Sequence, residues 1–277
     1  MPLKLMYITN NPQIAAIAES CGVDRIFIDM EYIGKEERQA GLNTVKSHHT
    51  ITDLVNIRSV ISSSDLLVRI NPMHEKTDNY CSSKDEIEAA IAAGADILML
   101  PMIKHVRQVE EFVRLVDGRA KTMLLLETAE SNENIDEFLQ VEGIDEVHIG
   151  LNDMHLEYRK KFMFELLTDG TVERLCEKLK VKGIPYGFGG IARLGYGMLP
   201  AEKVIMEHYR LGSTKAILSR SFCNAAEITD MEELKELFQL ETNKIRLFEE
   251  SLNSCSVQEF ENNRQEVCRL VSTIANR

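Results

Sequence analysis

The 277-residue sequence predicts an α/β protein, a (β/α)8 TIM barrel with additional C-terminal helices. Three observations carry this. Eight short apolar runs recur along the chain, each bounded by polar residues, as buried parallel strands are. Most of these runs are followed by apolar residues at helical spacing, the alternation of a closed parallel barrel. The length is also about that of one such barrel. A doubly wound open sheet is disfavoured by the strand count and by the lack of a Gly-x-Gly-x-x-Gly after the first strand.

The elements follow in order. Leu3 to Ile8 is the first strand. Asn10-Asn11-Pro12 supplies a cap and a proline suited to a first helical turn, and Ile14, Ala15, Ile17 and Ala18 continue the helix to Gly22. Asp24 to Met30 is the second strand, ending at Asp29, Glu31 and Tyr32. The stretch from Ile33 to Thr50 is polar and aperiodic, carries His48-His49, and reads as a functional or mobile loop. A helix from about Thr52 to Ile61 leads to the third strand, Leu66 to Pro72, with Arg69 near its end. An arginine there is costly to bury without an anionic partner, either a ligand or a structural carboxylate. Ser82 opens the next helix, Asp96 to Leu100 is the fourth strand, and Val106 to Val116 is a helical stripe closed at Gly118. Lys121 to Leu126, Glu146 to Ile149, Pro185 to Arg193 and Lys215 to Ser219 complete the eight strands, with helical spacing between them. Two further apolar stripes, Leu234 to Leu252 and Phe260 to Ile274, follow. The expected division is a barrel over residues 1–225 and a helical extension over 226–277 that packs at a subunit interface.

A formal net charge of −12 argues against nucleic acid or an anionic membrane as partner. A small anionic substrate is compatible with it, because a bound metal inverts the local field. The six cysteines form no Cys-x-x-Cys pair, and the first residues do not resemble a signal sequence. Both features fit a reducing cytoplasm. No apolar run approaches membrane-spanning length.

Two of the apolar runs end in carboxylates. Met123 to Leu126 stops at Glu127, and Val147 to Leu151 leads to Asp153. At the C-terminal edge of neighbouring barrel strands, two such groups repel unless a cation lies between them, and hard oxygen ligands suit Mg²⁺ or Mn²⁺. The competing reading is that each acid merely begins its following helix. In the seventh strand, Gly187, Gly189 and Gly190 would let backbone approach a ligand. Arg193 and Arg220, on late loops, would suit a phosphate or carboxylate.

Five stretches come in an order and spacing that resembles a known family: Phe27–Glu31, Leu67–Asn71, Ala93–Pro101, Leu126–Glu130 and Ile149–Asp153. The chain resembles the metal-dependent pyruvate aldolases of the HpcH/HpaI aldolase and citrate lyase family from about Leu3 to Ala225. The resemblance implies a carbon–carbon lyase acting through a metal-stabilised enolate of pyruvate, with an aldehyde acceptor. It implies Glu127 and Asp153 as metal ligands and Arg69 at the keto oxygen. Gly150, Asn152, Gly190 and Arg193 are expected to line the substrates. A Lewis acid and a guanidinium place positive charge where the carbanion's charge develops. A citrate-lyase-like enzyme acting on a CoA thioester, and a non-catalytic barrel that binds a keto acid, are the alternatives.

The chain departs from the family pattern at several places. Tyr32 stands where many of these aldolases carry a proton-transferring histidine, and Leu125 stands where a glutamine is frequent. Tyrosine is a poor base near neutrality, whereas histidine titrates there. The long loop is therefore expected to supply His48 or, preferably, His49 as the replacement acid/base, with Asp29 or Glu31 acting through a water as the other route. A homo-oligomer is expected from the C-terminal helices.

Overall fold

The computed structural model describes residues 1–35, 48–219, 222–223, 228 and 230–276. Eight parallel strands close into a barrel in sequence order: β1 (Lys4–Ile8), β2 (Arg25–Asp29), β3 (Asp65–Arg69), β4 (Ile97–Leu100), β5 (Lys121–Leu126), β6 (Glu146–Ile149), β7 (Tyr186–Ile191) and β8 (Lys215–Leu218). β8 pairs back onto β1, with Leu5 opposite Ala216. Parallel strands need crossovers, and the amphipathic stretches supply them as helices. These include α1 (Pro12–Ser20), α2 (Ile51–Arg58), α3 (Ser83–Ala92), α4 (Val106–Val116), α5 (Ala129–Glu133), α6 (Ile135–Phe138), α7 (Leu151–Glu157), α8 (Glu165–Thr168), α9 (Thr171–Lys182) and α10 (Ala201–Leu211). Helix α1 starts as its sequence requires: Pro12 occupies the first turn, and Asn11 Oδ1 accepts from Gln13 N at 2.9 Å.

Side chains alternate across each strand, so the apolar residues divide into two sets. One set points outward to the helices and forms the larger core. The other fills the barrel interior with Met6, Phe27, Leu67, Ile97, Met99, Met123 and Leu125. Each strand therefore reads as a nearly continuous apolar run because both its faces are buried.

The two last helices are α11 (Met231–Leu252) and α12 (Val257–Ala275). Their apolar residues Leu234, Phe238, Ile245, Val267 and Val271 are buried within the chain itself. Phe238 meets the ring of Tyr7 on β1 edge-on at 4.9 Å and that of Phe222 at 5.6 Å. Arg246 donates to Leu3 O and to Asp24, and Leu3 N donates to Glu249 Oε1 at 2.7 Å. These contacts tie the C-terminal helices to the barrel. Helix α11 lies against both α1 and α10 and so takes the place of the barrel's own eighth helix, and α12 packs on α8 and α10. No subunit interface is required to bury these stripes. Among the described residues no helix is long and apolar enough to cross a membrane.

Candidate active site

The site follows from the two-residue period of the strands. On β2 the inward positions run from Phe27 to Asp29, on β3 from Leu67 to Arg69, and on β5 from Leu125 to Glu127 one step past the strand. Asp29 and Arg69 are register partners on adjacent strands. The apolar interior therefore ends, at its C-terminal mouth, in a layer of charge.

Asp29 is the hub of one side. Both its oxygens accept from the Arg69 guanidinium, from Nε and Nη2 at 2.9 Å each, and Oδ2 also accepts from Lys35 Nζ at 2.5 Å. Glu31 N donates to Oδ1 at 3.3 Å. Burial raises the Asp29 carboxyl, but the Arg69 and Lys35 cations outweigh burial and hold it well below the usual carboxylate range. The structural partner foreseen for Arg69 is thus Asp29. Arg69 Nη1 is turned towards Glu31 Oε2 at 3.4 Å. Each Asp29 oxygen thus accepts two hydrogen bonds, and the carboxylate clamps the arginine.

Glu127 is the hub of the other side. It is buried, and its Oε1 accepts from the backbone N–H of Met102 at 3.1 Å. Burial first, then the nearby charges of Glu31 and Asp153, push its carboxyl up to about 8 even though Arg69 opposes them. Asp153 does not sit at the strand end itself; it lies in the first turn of α7, half-buried, on the neighbouring strand's loop. Gly150 makes the arrangement possible. A Cβ there would lie 2.8 Å from Glu127 Cβ and 3.2 Å from Glu127 Oε2.

Four carboxylates, Asp29, Glu31, Glu127 and Asp153, gather at the mouth; Arg69 and Lys35 are both drawn onto Asp29, and burial with the charges of Glu31 and Asp153 drives Glu127 towards its neutral form. A cation beside Glu127 would relieve that crowding of acids and favour its ionised form. Among the described residues no three His, Cys, Asp or Glu side chains converge as a full ligand set. Two carboxylates completed by water and substrate oxygens are nevertheless a normal provision for Mg²⁺, so the donor set fits.

The remaining expected residues fall as follows. Tyr32 Oη donates to the backbone oxygen of His49, and its ring stacks on His48 at 5.8 Å. Burial first, then the charge of Asp29, raises its phenol further, and its hydroxyl pins the chain at His49. His49 is buried, and its Nδ1 accepts from Asp29 N at 3.1 Å. Burial lowers its imidazole, so it is neutral at pH 7 with the proton on Nε2. The lone pair a base would use is committed, which revises the acid/base reading of His49; His48 is exposed. Asn152 is exposed on α7. The β7 glycines make room for neighbouring protein groups. A Cβ at Gly187 would meet Lys215 at 2.3 Å, one at Gly189 would meet Leu151 at 2.8 Å, and one at Gly190 would meet Ile217 O at 3.3 Å. Arg193 lies two residues past β7, with its Cζ 3.9 Å from the centre of the Tyr196 ring. Arg220 and most of the loop expected to cover the site, residues 36–47, lie outside the described residues.

Several functional residues carried no legible signal. Lys35 sits in the aperiodic stretch after β2, and nothing in its surroundings announces an ion pair with Asp29. Asn71 Oδ1 accepts from Tyr32 N and Ile33 N at 2.8 and 2.9 Å, while its Nδ2 donates to Glu86 Oε1 at 2.9 Å, tying the β2 loop to β3 and α3. At the opposite end of the barrel Arg25 forks onto Glu146 at 2.6 and 2.7 Å, and Lys215 Nζ meets the same carboxylate at 2.6 Å. The charged first residues of β2, β6 and β8 were the available signal for this triad.

Comparison with known proteins agrees with this architecture. Residues 4–166 match the family described as HpcH/HpaI aldolase/citrate lyase. No curated protein matches the chain. Among solved structures, an HpcH/HpaI aldolase from Desulfitobacterium hafniense is similar over 79% of this chain and 86% of that one, with 18% identity and a TM-score of 0.61. An HpcH/HpaI aldolase/citrate lyase family protein from Burkholderia cenocepacia covers 85% of this chain and 95% of its own, at 14% identity and a TM-score of 0.61. Citrate synthase SbnG covers 78% and 86%, at 17% identity and a TM-score of 0.56. At these identities the structural likeness speaks for the fold.

Proposed function

The chain belongs to the HpcH/HpaI aldolase/citrate lyase family, and from that premise we propose that it is a divalent-metal-dependent lyase that makes or cleaves a carbon–carbon bond to pyruvate, with an aldehyde as the other partner. The observation that carries the reading is the buried carboxyl of Glu127 at the barrel mouth, crowded by the charges of Glu31 and Asp153. Glu127 and Asp153 would hold Mg²⁺ or Mn²⁺. The cation would act as a Lewis acid on the keto acid.

The protein's own groups do the rest. Arg69 presents a guanidinium to the oxygen on which enolate charge develops, and positive charge fixed in advance there lowers the barrier. Asp29 and Lys35 fix that guanidinium: a bidentate carboxylate clamp on one edge leaves Nη1 directed at the site. Glu31, buried between Arg69 and Glu127, is the carboxylate we assign to moving the proton at the pyruvate methyl carbon. His49 positions Asp29 through its backbone N–H. No lysine Schiff base enters this scheme. The six cysteines, all free, are compatible with a reducing compartment. Homo-oligomeric assembly remains part of the proposal. The outer face of α11 leaves Leu240 and Leu247 exposed for it.

The test is exchange of pyruvate methyl protons with solvent, followed by NMR with and without Mg²⁺ or Mn²⁺. Metal-dependent exchange that disappears in Glu127→Gln and Asp153→Asn, together with their calorimetric metal binding, supports the enolising lyase. Pyruvate binding without exchange would favour the non-catalytic barrel, and unchanged metal affinity in both variants would remove the metal site.

A further inference from the structure

Arg193 stands at the end of β7, beside the strand that leads to Asp153, on the same edge of the barrel as Arg69 and Glu127. It is half-buried, and among the described residues it has no carboxylate partner and no hydrogen-bond acceptor. Its Nε is buried without a partner. This is unusual in a chain with 44 acidic and 32 basic residues. Among the described residues the other buried or half-buried arginines, Arg25, Arg58, Arg69, Arg210, Arg246 and Arg264, are each paired with a carboxylate.

The loop holds this arginine in a defined pose. Tyr196 N donates to Arg193 O at 3.1 Å, closing a turn that brings the two side chains together. Gly195 and Gly197 adopt φ of +79° and +97°, and Glu202 caps the turn through Gly195 N at 2.7 Å. The guanidinium carbon then lies over the Tyr196 ring, 3.9 Å from its centre. Stacking uses the face of the guanidinium and leaves the N–H edge for an in-plane acceptor. The Arg193 charge also acts on the buried thiol of Cys223, in the segment after β8, whose pKa burial raises. The arginine therefore stands on the loop after β7, at the edge of the barrel where folds of this class often hold an anionic group in the loops after strands 7 and 8. An acidic protein repels an anionic substrate at long range, so a fixed local cation is the device that such a substrate requires.

We propose that Arg193, held on Tyr196, binds an oxyanion, phosphate or carboxylate, at the end of the aldehyde partner remote from the reacting carbon. This rests on the aldolase reading for the identity of the partner. The separation between Arg193 and the Asp29–Arg69 clamp would then select acceptors by length as well as by charge.

The experiment compares condensation of pyruvate with glyceraldehyde 3-phosphate, succinic semialdehyde and uncharged glyceraldehyde, using metal-loaded full-length protein. Wild type should prefer one or both charged aldehydes by roughly 10- to 100-fold in kcat/KM, the scale of a charge-assisted hydrogen-bond pair. The phosphorylated and carboxylated arms show which oxyanion is read. In Arg193→Met the preference should collapse to within about threefold through the KM of the charged aldehyde, and Arg193→Lys should keep part of it. Pyruvate proton exchange in wild type separates the two claims. Exchange with no preference for charge, or a preference that survives in Arg193→Met, overturns the anion site and leaves the lyase standing. If wild type shows no exchange, calorimetric titration with inorganic phosphate decides the site alone: binding that weakens in Arg193→Met supports it, and equal or absent binding overturns it.

Discussion

Gly150→Ala is the most incisive perturbation of the candidate metal site, because it removes no charged group. Gly150 has φ −83° and ψ 91°, so its backbone places no left-handed demand on the residue, and an alanine would act through its methyl group alone. That methyl would lie 2.8 Å from Glu127 Cβ, 3.2 Å from Glu127 Oε2 and 3.2 Å from Leu125 Cδ1. Carbon atoms pack at about 3.5–4.0 Å, so Glu127 must retreat by roughly 1 Å. Metal–ligand distances tolerate about 0.2 Å. Mn²⁺ affinity should therefore fall about 10- to 100-fold, and pyruvate proton exchange should fall with it. Overpacking should cost the metal-free protein about 1–3 kcal/mol. Calorimetric titration with Mn²⁺ and urea unfolding of the metal-free protein measure the two effects separately. Wild-type Mn²⁺ affinity in a folded Gly150→Ala protein would refute the placement of the ligand at Glu127.

Two further predictions concern the support of the barrel. Glu146 meets two cations at 2.6 Å, and although burial raises its carboxyl, they bring it down to about 2 from an ordinary value near 4.5. A carboxyl lowered on folding contributes stability above its unfolded value. About 3 kcal/mol should therefore be lost as pH falls from about 4.5 to about 2. Glu146→Gln should remove that acid limb in urea titrations at pH 7, 4 and 3. It should also destabilise the protein at pH 7 by about 3–5 kcal/mol, because Arg25 and Lys215 stay buried without their partner; an unchanged acid limb would contradict the triad. His49→Ala should leave Asp29 N without an acceptor, costing about 1–3 kcal/mol, and should slow pyruvate exchange without altering its pH profile. Tyr32→Phe should keep the wild-type profile as well. A profile that changes shape in His49→Ala would return the acid/base role to that residue.

The sequence alone determined the architecture, since a parallel strand buried on both faces must read as an apolar run and a crossover helix as a stripe. Those periods are local, so the eight strands, most helices and the strand-end position of Glu127 were legible from neighbouring residues. So were Arg69 and Asp153, as charges placed where an apolar run stops. Only the tertiary structure decided what those charges meet. Closure of the barrel joins Arg25 to Glu146 across 121 positions and sets Lys215 on the same carboxylate. No local pattern encodes a contact of that separation. The same holds for Lys35 on Asp29, and for His49, whose lone pair is taken by a backbone N–H. Helix α11 read as an appendage because its stripe looks the same whether it packs on a neighbour or on its own barrel. The β7 glycines are equally ambiguous in sequence: a missing Cβ makes room, and only the packed neighbour shows for whom. In this barrel that neighbour is Lys215, Leu151 and the β8 backbone, while the glycine that shapes the candidate metal site is Gly150.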